Sequence, residues 1–227
     1  TVIDDPVHSA PSFGNSIHHT FRIVKQLFYV GRRFFRPGWN LYSLLFAWRR
    51  RQMKLLFCGH RGAGKSTIIG WRVPRGCPGG GLETFVAPGA GGAGLYMRRP
   101  WDDQAPCGPE NQVGRRGAVP GTAVGFPLVF DRWGTALLQG IPPGSLVVMD
   151  ELGYLEREAA AFLRQVRRKL TGPCHVLAVV RASDQPHLRE FRELSGVRVL
   201  QVTPENREEQ YLRARGWLEE AGIFSRS

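Results

Sequence analysis

The sequence predicts an α/β fold in which a mainly parallel sheet is covered by helices on both faces. Three observations carry that expectation. Short apolar runs alternate with amphipathic helical stretches, the pattern of strands buried on both sides. A glycine-rich turn follows the first run and opens directly into a helical segment. A later run ends on two adjacent acids, at the kind of strand end where open α/β sheets bind ligands.

In chain order, Lys54 to Cys58 reads as a buried strand, and Gly64 to Trp71 as the first turns of a helix. Residues 74 to 125 hold 13 Gly and 7 Pro in 52 positions, a loop-rich composition. Two strand-like pieces stand out within it, Leu82 to Val86 and Gly94 to Arg98, so the segment reads as a β-hairpin insertion with a long, mobile surround. Phe126 to Phe130 is an apolar run, and Arg132 to Gln139 a short helix. Strands at Leu146 to Met149, Val176 to Val180 and Val197 to Val202 alternate with helices at Glu156 to Leu170, Gln185 to Leu194 and Pro204 to Ala221. Thr203 as N-cap, with Pro204 at the first helical position, marks the expected start of the last helix.

The 227 residues are enough for one domain with a real core. No apolar run reaches the roughly 18 residues of a membrane-spanning helix. Four cysteines without C-x-x-C spacing or a nearby His pair exclude a disulfide scaffold and a structural zinc site. With no secretory h-region, a reducing, cytoplasmic setting is expected. The net charge is +12, with a pI near 10.4. Half of that excess lies in residues 1 to 52, where aromatic residues are interleaved with arginines, including Arg49-Arg50-Arg51. Three readings stay open for this basic aromatic leader: a disordered extension outside the core, a membrane- or partner-binding helix with weak anionic-surface contact, or a nucleic-acid platform. Bases elsewhere are almost all Arg, a preference across every surface that resembles codon bias more than a specific partner. No specific nucleic-acid partner is expected.

The chemistry concentrates in two motifs. Gly59-His60-Arg61-Gly62-Ala63-Gly64-Lys65-Ser66 matches G-x-x-x-x-G-K-[ST] between a strand and a helix, with Thr67 leading out. Glycines let successive N–H groups wrap phosphate oxygens, and the helix N-terminus adds partial positive charge there. Lys65 is expected to bridge the β- and γ-phosphates, and Ser66 to ligate Mg²⁺. In Leu146-Val147-Val148-Met149-Asp150-Glu151 the strand ends on Asp150, the expected second Mg²⁺ acid, followed by Glu151, the expected base that polarises water. Arg181 follows a strand and is the candidate for stabilising developing γ-phosphate charge. Arg61 is a further candidate phosphate contact, and His60 a variable loop position. Glu156 reads as an acid in a first helical turn, favouring the helix dipole.

These residues resemble the small nucleoside-triphosphatase family of P-loop NTPases. The resemblance spans about Met53 to Gln210 and rests on GHRGAGKST at 59–67, VVMDELGYLE at 147–156 and VTPENR at 202–207. It implies a RecA/AAA-like sheet with an extra strand between the two motif strands, and slow hydrolysis of ATP, GTP and other nucleoside triphosphates. It also implies that Asn206-Arg207 lies on the nucleotide side, with Arg207 as a contact. Residues 1 to 52 find no counterpart in the family, and only Gly81 to Phe85 echoes its strand-rich segment after the first helix. The expected activity is therefore Mg²⁺-dependent hydrolysis of a nucleoside triphosphate to the diphosphate and phosphate. The alternatives are a small-molecule or nucleoside kinase using 74–125 as acceptor site, and a nucleotide-dependent switch acting through 1–52.

Overall fold

The computed structural model describes residues 52–70, 79–89, 92–119 and 121–223. The basic aromatic leader therefore lies outside the described residues apart from Gln52, as does Trp71 at the end of the first expected helix. Strands β1 (Lys54–Gly59), β2 (Gly79–Gly89), β3 (Gly92–Arg98), β4 (Gln112–Arg116), β5 (Ala123–Gly125), β6 (Leu146–Leu152), β7 (His175–Arg181) and β8 (Val197–Gln201) form one sheet. Its order is β5-β4-β3-β2-β6-β7-β1-β8. From β2 to β8 all neighbours pair in parallel, whereas β2 to β5 form an antiparallel meander. β7 lies between β1 and β6, so a strand does separate the two that end in motifs.

Two helices, α1 (Lys65–Gly70) and α6 (Arg207–Glu220), pack on one face. There Ile68, Ile69, Ala214 and Leu218 meet Leu55, Phe57, Val148, Leu177 and Val179. The other face carries α2 (Pro127–Val129), a π-helical stretch (Phe130–Gly134), α3 (Thr135–Leu138), α4 (Ala160–Thr171) and α5 (Pro186–Glu193). Phe130, Leu138, Phe162, Val166, Leu188 and Phe191 there cover Leu56, Val147, Met149, Val176 and Ala178. Successive residues of each central strand thus enter opposite cores, which is why the runs read as continuously apolar.

The Gly/Pro-rich segment departs from the expected hairpin insertion. The hairpin exists, with Phe85 opposite Tyr96, but its first strand pairs with β6 and the chain returns to add β4 and β5. Glycine suits close strand contact here. A Cβ on Gly81, at φ 139°, would overlap the Val148 carbonyl oxygen of β6.

Three helix starts also differ from the sequence expectation. Helix begins at Pro127, five residues ahead of the expected Arg132, so most of the apolar run from Phe126 is itself helical. α4 begins at Ala160 because residues 154 to 158 form turns, and its cap comes from far along the chain: Phe162 N–H donates to Asp131 Oδ1 at 2.9 Å. Close approach of the π-helical stretch permits this. A Cβ on Gly134 would lie 2.8 Å from the Phe162 ring. α6 begins at Arg207 with Asn206 at the N-cap, in place of Thr203. Thr203 and Asn206 instead form a reciprocal turn, with Thr203 N–H donating to Asn206 Oδ1 at 2.8 Å and Asn206 N–H to Thr203 Oγ1 at 3.3 Å.

Candidate active site

β1 ends at Gly59, and the chain turns through His60, Arg61, Gly62, Ala63 and Gly64 into α1. Glycine is favoured at Gly59 and Gly64 for different reasons. A Cβ on Gly59 would sit 2.3 Å from the Val202 carbonyl oxygen, whereas Gly64 adopts φ 86° with Arg207 Cδ against it. Arg207 therefore packs on the phosphate loop. Its neighbour Asn206 is occupied with the loop after β8, since its Nδ2 also donates to the Gln201 carbonyl at 3.0 Å. His60, Arg61, Gly62, Ser66 and Thr67 are exposed around the loop, while Ala63 and Lys65 are buried.

Lys65 bends back over the loop, with Nζ donating to the carbonyls of Gly59 at 2.8 Å and His60 at 2.5 Å. Burial lowers its pKa, and the Glu151 carboxylate is the strongest of the groups that oppose the shift. Ser66 Oγ donates to Asp150 Oδ1 at 2.9 Å, joining the start of α1 to the end of β6. Burial pushes the Asp150 carboxyl up to about 6, against the Ser66 hydrogen bond, with Glu151 and Glu83 adding to the rise.

The end of β6 is bent. Met149 pairs with Ala178 and Leu152 with Val180, so β6 carries one residue more than β7 over this span. Within that bulge Glu151 takes φ 75°, a conformation costly for any residue with a Cβ. The bulge separates the two acids: Asp150 meets Ser66, while the exposed Glu151 carboxylate meets Arg181 Nη2 at 2.9 Å. Arg181 ends β7 directly beside Gly59 in register, and its guanidinium lies 5.0 Å from the Tyr154 ring centroid. Phosphate loop, acidic pair and arginine thus converge at the C-terminal ends of three adjacent strands.

Glu156 does not occupy a first helical turn. It is buried, and its Oε1 accepts the Gly153 N–H at 2.5 Å. His187 Nε2 of α5 lies 2.8 Å from the Gly153 carbonyl oxygen and 3.9 Å from Glu156 Oε1. Burial opposes protonation of His187, but the Glu156 and Gly153 partners together raise its pKa. Both polar groups of Gly153, two residues after Glu151, are thereby held. Nothing local in the sequence marks His187 for this role; Glu156 is recognisable only as part of the 147–156 phrase.

For Mg²⁺ the donor chemistry fits: a hydroxyl and a carboxylate at hydrogen-bond distance are hard oxygen ligands. Among the described residues no group of three or more His, Cys, Asp or Glu forms a metal cage. Such a two-ligand site suits an ion that shares its coordination with phosphates and water.

A five-stranded parallel sheet with a phosphate loop on one strand and an acid on the next strand but one defines a P-loop NTPase. A family model described as NTPase matches residues 115–213. Nucleoside-triphosphatase THEP1 of Thermofilum pendens is 30% identical over 165 residues, covering 67% of this chain and 88% of the relative. The crystal structure of THEP1 from the hyperthermophile Aquifex aeolicus matches with a TM-score of 0.56 at 20% identity, covering 74% of this chain and 99% of that one, a likeness of fold. The chain belongs to the small nucleoside-triphosphatase family of P-loop NTPases. Among the described residues no helix is long and apolar enough to cross a membrane.

Proposed function

We propose that the protein hydrolyses nucleoside 5'-triphosphates to the diphosphate and phosphate with Mg²⁺, in a reducing, cytoplasmic setting. One observation carries this reading: the β6 bulge gives adjacent acids separate partners, leaving Glu151 outside the Ser66–Asp150 pair. A metal acid and a water-activating base need that division of labour. Ser66 and Asp150 are the residues that would hold Mg²⁺, which would neutralise charge on the phosphate oxygens.

Triphosphate binding draws Lys65 Nζ from the Gly59 and His60 carbonyls onto phosphate oxygens, while loop N–H groups cradle the chain of phosphates. Glu151 accepts a proton from the attacking water as the new P–O bond forms and the bond to the bridging oxygen breaks. Arg181 exchanges its Glu151 contact for the γ-phosphoryl oxygens as charge spreads over them. Arg61 within the loop and Arg207 packed against Gly64 add charge near the phosphates.

The test is phosphate release from ATP, GTP, CTP and UTP without any acceptor, with and without Mg²⁺. Mg²⁺-dependent release from several of them is expected. Release only when a hydroxyl acceptor is added would replace hydrolase by kinase.

A further inference from the structure

Beside Glu151 and Arg181, with neither Lys65 nor Ser66 in its lining, lies a cleft of about 250 Å³. One wall is Arg61, Glu151, Tyr154, Leu155 and Arg181; the other comes from the antiparallel strands, through Val86 of β2, Leu95 of β3, Arg116 of β4, Val119, and Ala123 of β5. Its charged lining is three guanidiniums and one carboxylate, a surplus of two positive charges. The carboxylate is already paired with Arg181. The uncharged lining includes the Tyr154 ring and the aliphatic Val86, Leu95, Val119 and Leu155, and two of these side chains are open to solvent, Val86 at 47% and Val119 at 64% exposure. Hydrolysis of a triphosphate needs neither those valines nor Arg116, all of which come from the segment expected to be an insertion.

We propose that this cleft is a second ligand site, for a small phosphomonoester bound alongside the nucleoside triphosphate. The surplus of two charges matches a phosphate dianion, and guanidinium forks match its oxygens in pairs. Val86, Leu95 and Val119 cover the carbon body of the ester. An anion there competes with Glu151 for Arg181, so occupancy of the cleft bears directly on the pair beside the γ-phosphate. The inference rests on the triphosphate site proposed above: Arg61, Glu151 and Arg181 are shared with it, while Val86, Leu95, Arg116 and Val119 lie outside it.

The experiment titrates phenyl phosphate into the full chain by calorimetry, with phenol as the uncharged control, before and after saturation with Mg²⁺ and a non-hydrolysable triphosphate analogue. Phenyl phosphate is expected to bind the analogue-loaded protein, and phenol not. Arg116→Ala and Val119→Asp should each weaken that binding at least tenfold, with triphosphate hydrolysis in the absence of phenyl phosphate kept within twofold. Val119 is exposed, so its substitution leaves the core untouched. Loss of phenyl phosphate binding on analogue loading would assign it to the phosphate loop and overturn the proposal, as would unchanged affinity in both variants. Failure of the triphosphate reading is distinguishable: the wild-type chain would then release no phosphate, while variant-sensitive phenyl phosphate binding to the unloaded chain persists.

Discussion

Glu151 and Arg181, thirty residues apart, form an ion pair of 2.9 Å at the ends of adjacent strands β6 and β7. The pair restrains an exposed carboxylate whose backbone is already in the left-handed region. In the mechanism proposed above, such a pair would orient the base before substrate arrives and release its partner to the phosphate when charge develops there.

Replacing Glu151 by Gln keeps the shape and removes the base. Turnover should fall by about 10²- to 10⁴-fold, the usual contribution of a positioned general base. Nucleotide affinity should stay within a few-fold. Steady-state kinetics alongside equilibrium titration of a triphosphate analogue separates the two, and unaltered turnover would remove Glu151 from its role.

Asp150 predicts a pH dependence. Its folded-state carboxyl is raised from 3.8 to about 6, chiefly by burial. The folded protein thus holds that proton more tightly than the unfolded chain, so without metal Asp150 makes stability fall as pH rises from about 4 to about 6. With Asp150 holding the ion as proposed, Mg²⁺-nucleotide binding should have the opposite slope, because the ion would need the carboxylate. Affinity should drop by about tenfold per pH unit below the pKa and level off above it. Asp150→Asn should flatten both curves, read by thermal melts and by nucleotide titration across pH 4 to 8.

Glu156 is expected to act through the turn it holds. Glu156→Gln weakens the charged acceptor for Gly153 N–H and the partner of His187, loosening the backbone that follows Glu151. Turnover should fall by about 10- to 100-fold, the scale typical of supporting partners around a metal site. KM should change little. A matching loss in nucleotide affinity would point instead to general disruption of the site.

Two glycines of the antiparallel half give a paired test of packing. Gly81 and Gly92 both have positive φ, at 139° and 119°, but a Cβ on Gly92 meets nothing within 4 Å while one on Gly81 overlaps Val148 O. Gly92→Ala should cost only backbone strain, about 1 kcal/mol. Gly81→Ala should cost on the order of 3 kcal/mol or more, because the β2–β6 pairing must open. Denaturant unfolding of the two variants measures the difference.

The sequence by itself determined the parts governed by neighbours in the chain. Apolar runs named the central parallel strands, since burial on both faces leaves no room for alternation. The glycine spacing from Gly59 to Gly64 and the Asp150-Glu151 strand end were legible because each motif is contiguous. Tertiary structure decided what depends on pairing across long separations. Ser66 meets Asp150 across 84 residues, and β7 comes between the motif strands only through the sheet's hydrogen-bond order. Residues 74 to 125 read as a hairpin insertion in a loop-rich surround because glycine and proline lower intrinsic strand preference. The edge of β6 gives their backbone a template, and small residues there are what let it approach. Asp131 capping α4 and Glu156 buried under His187 likewise have no local signature, because a hydrogen bond between distant segments depends on where packing brings them.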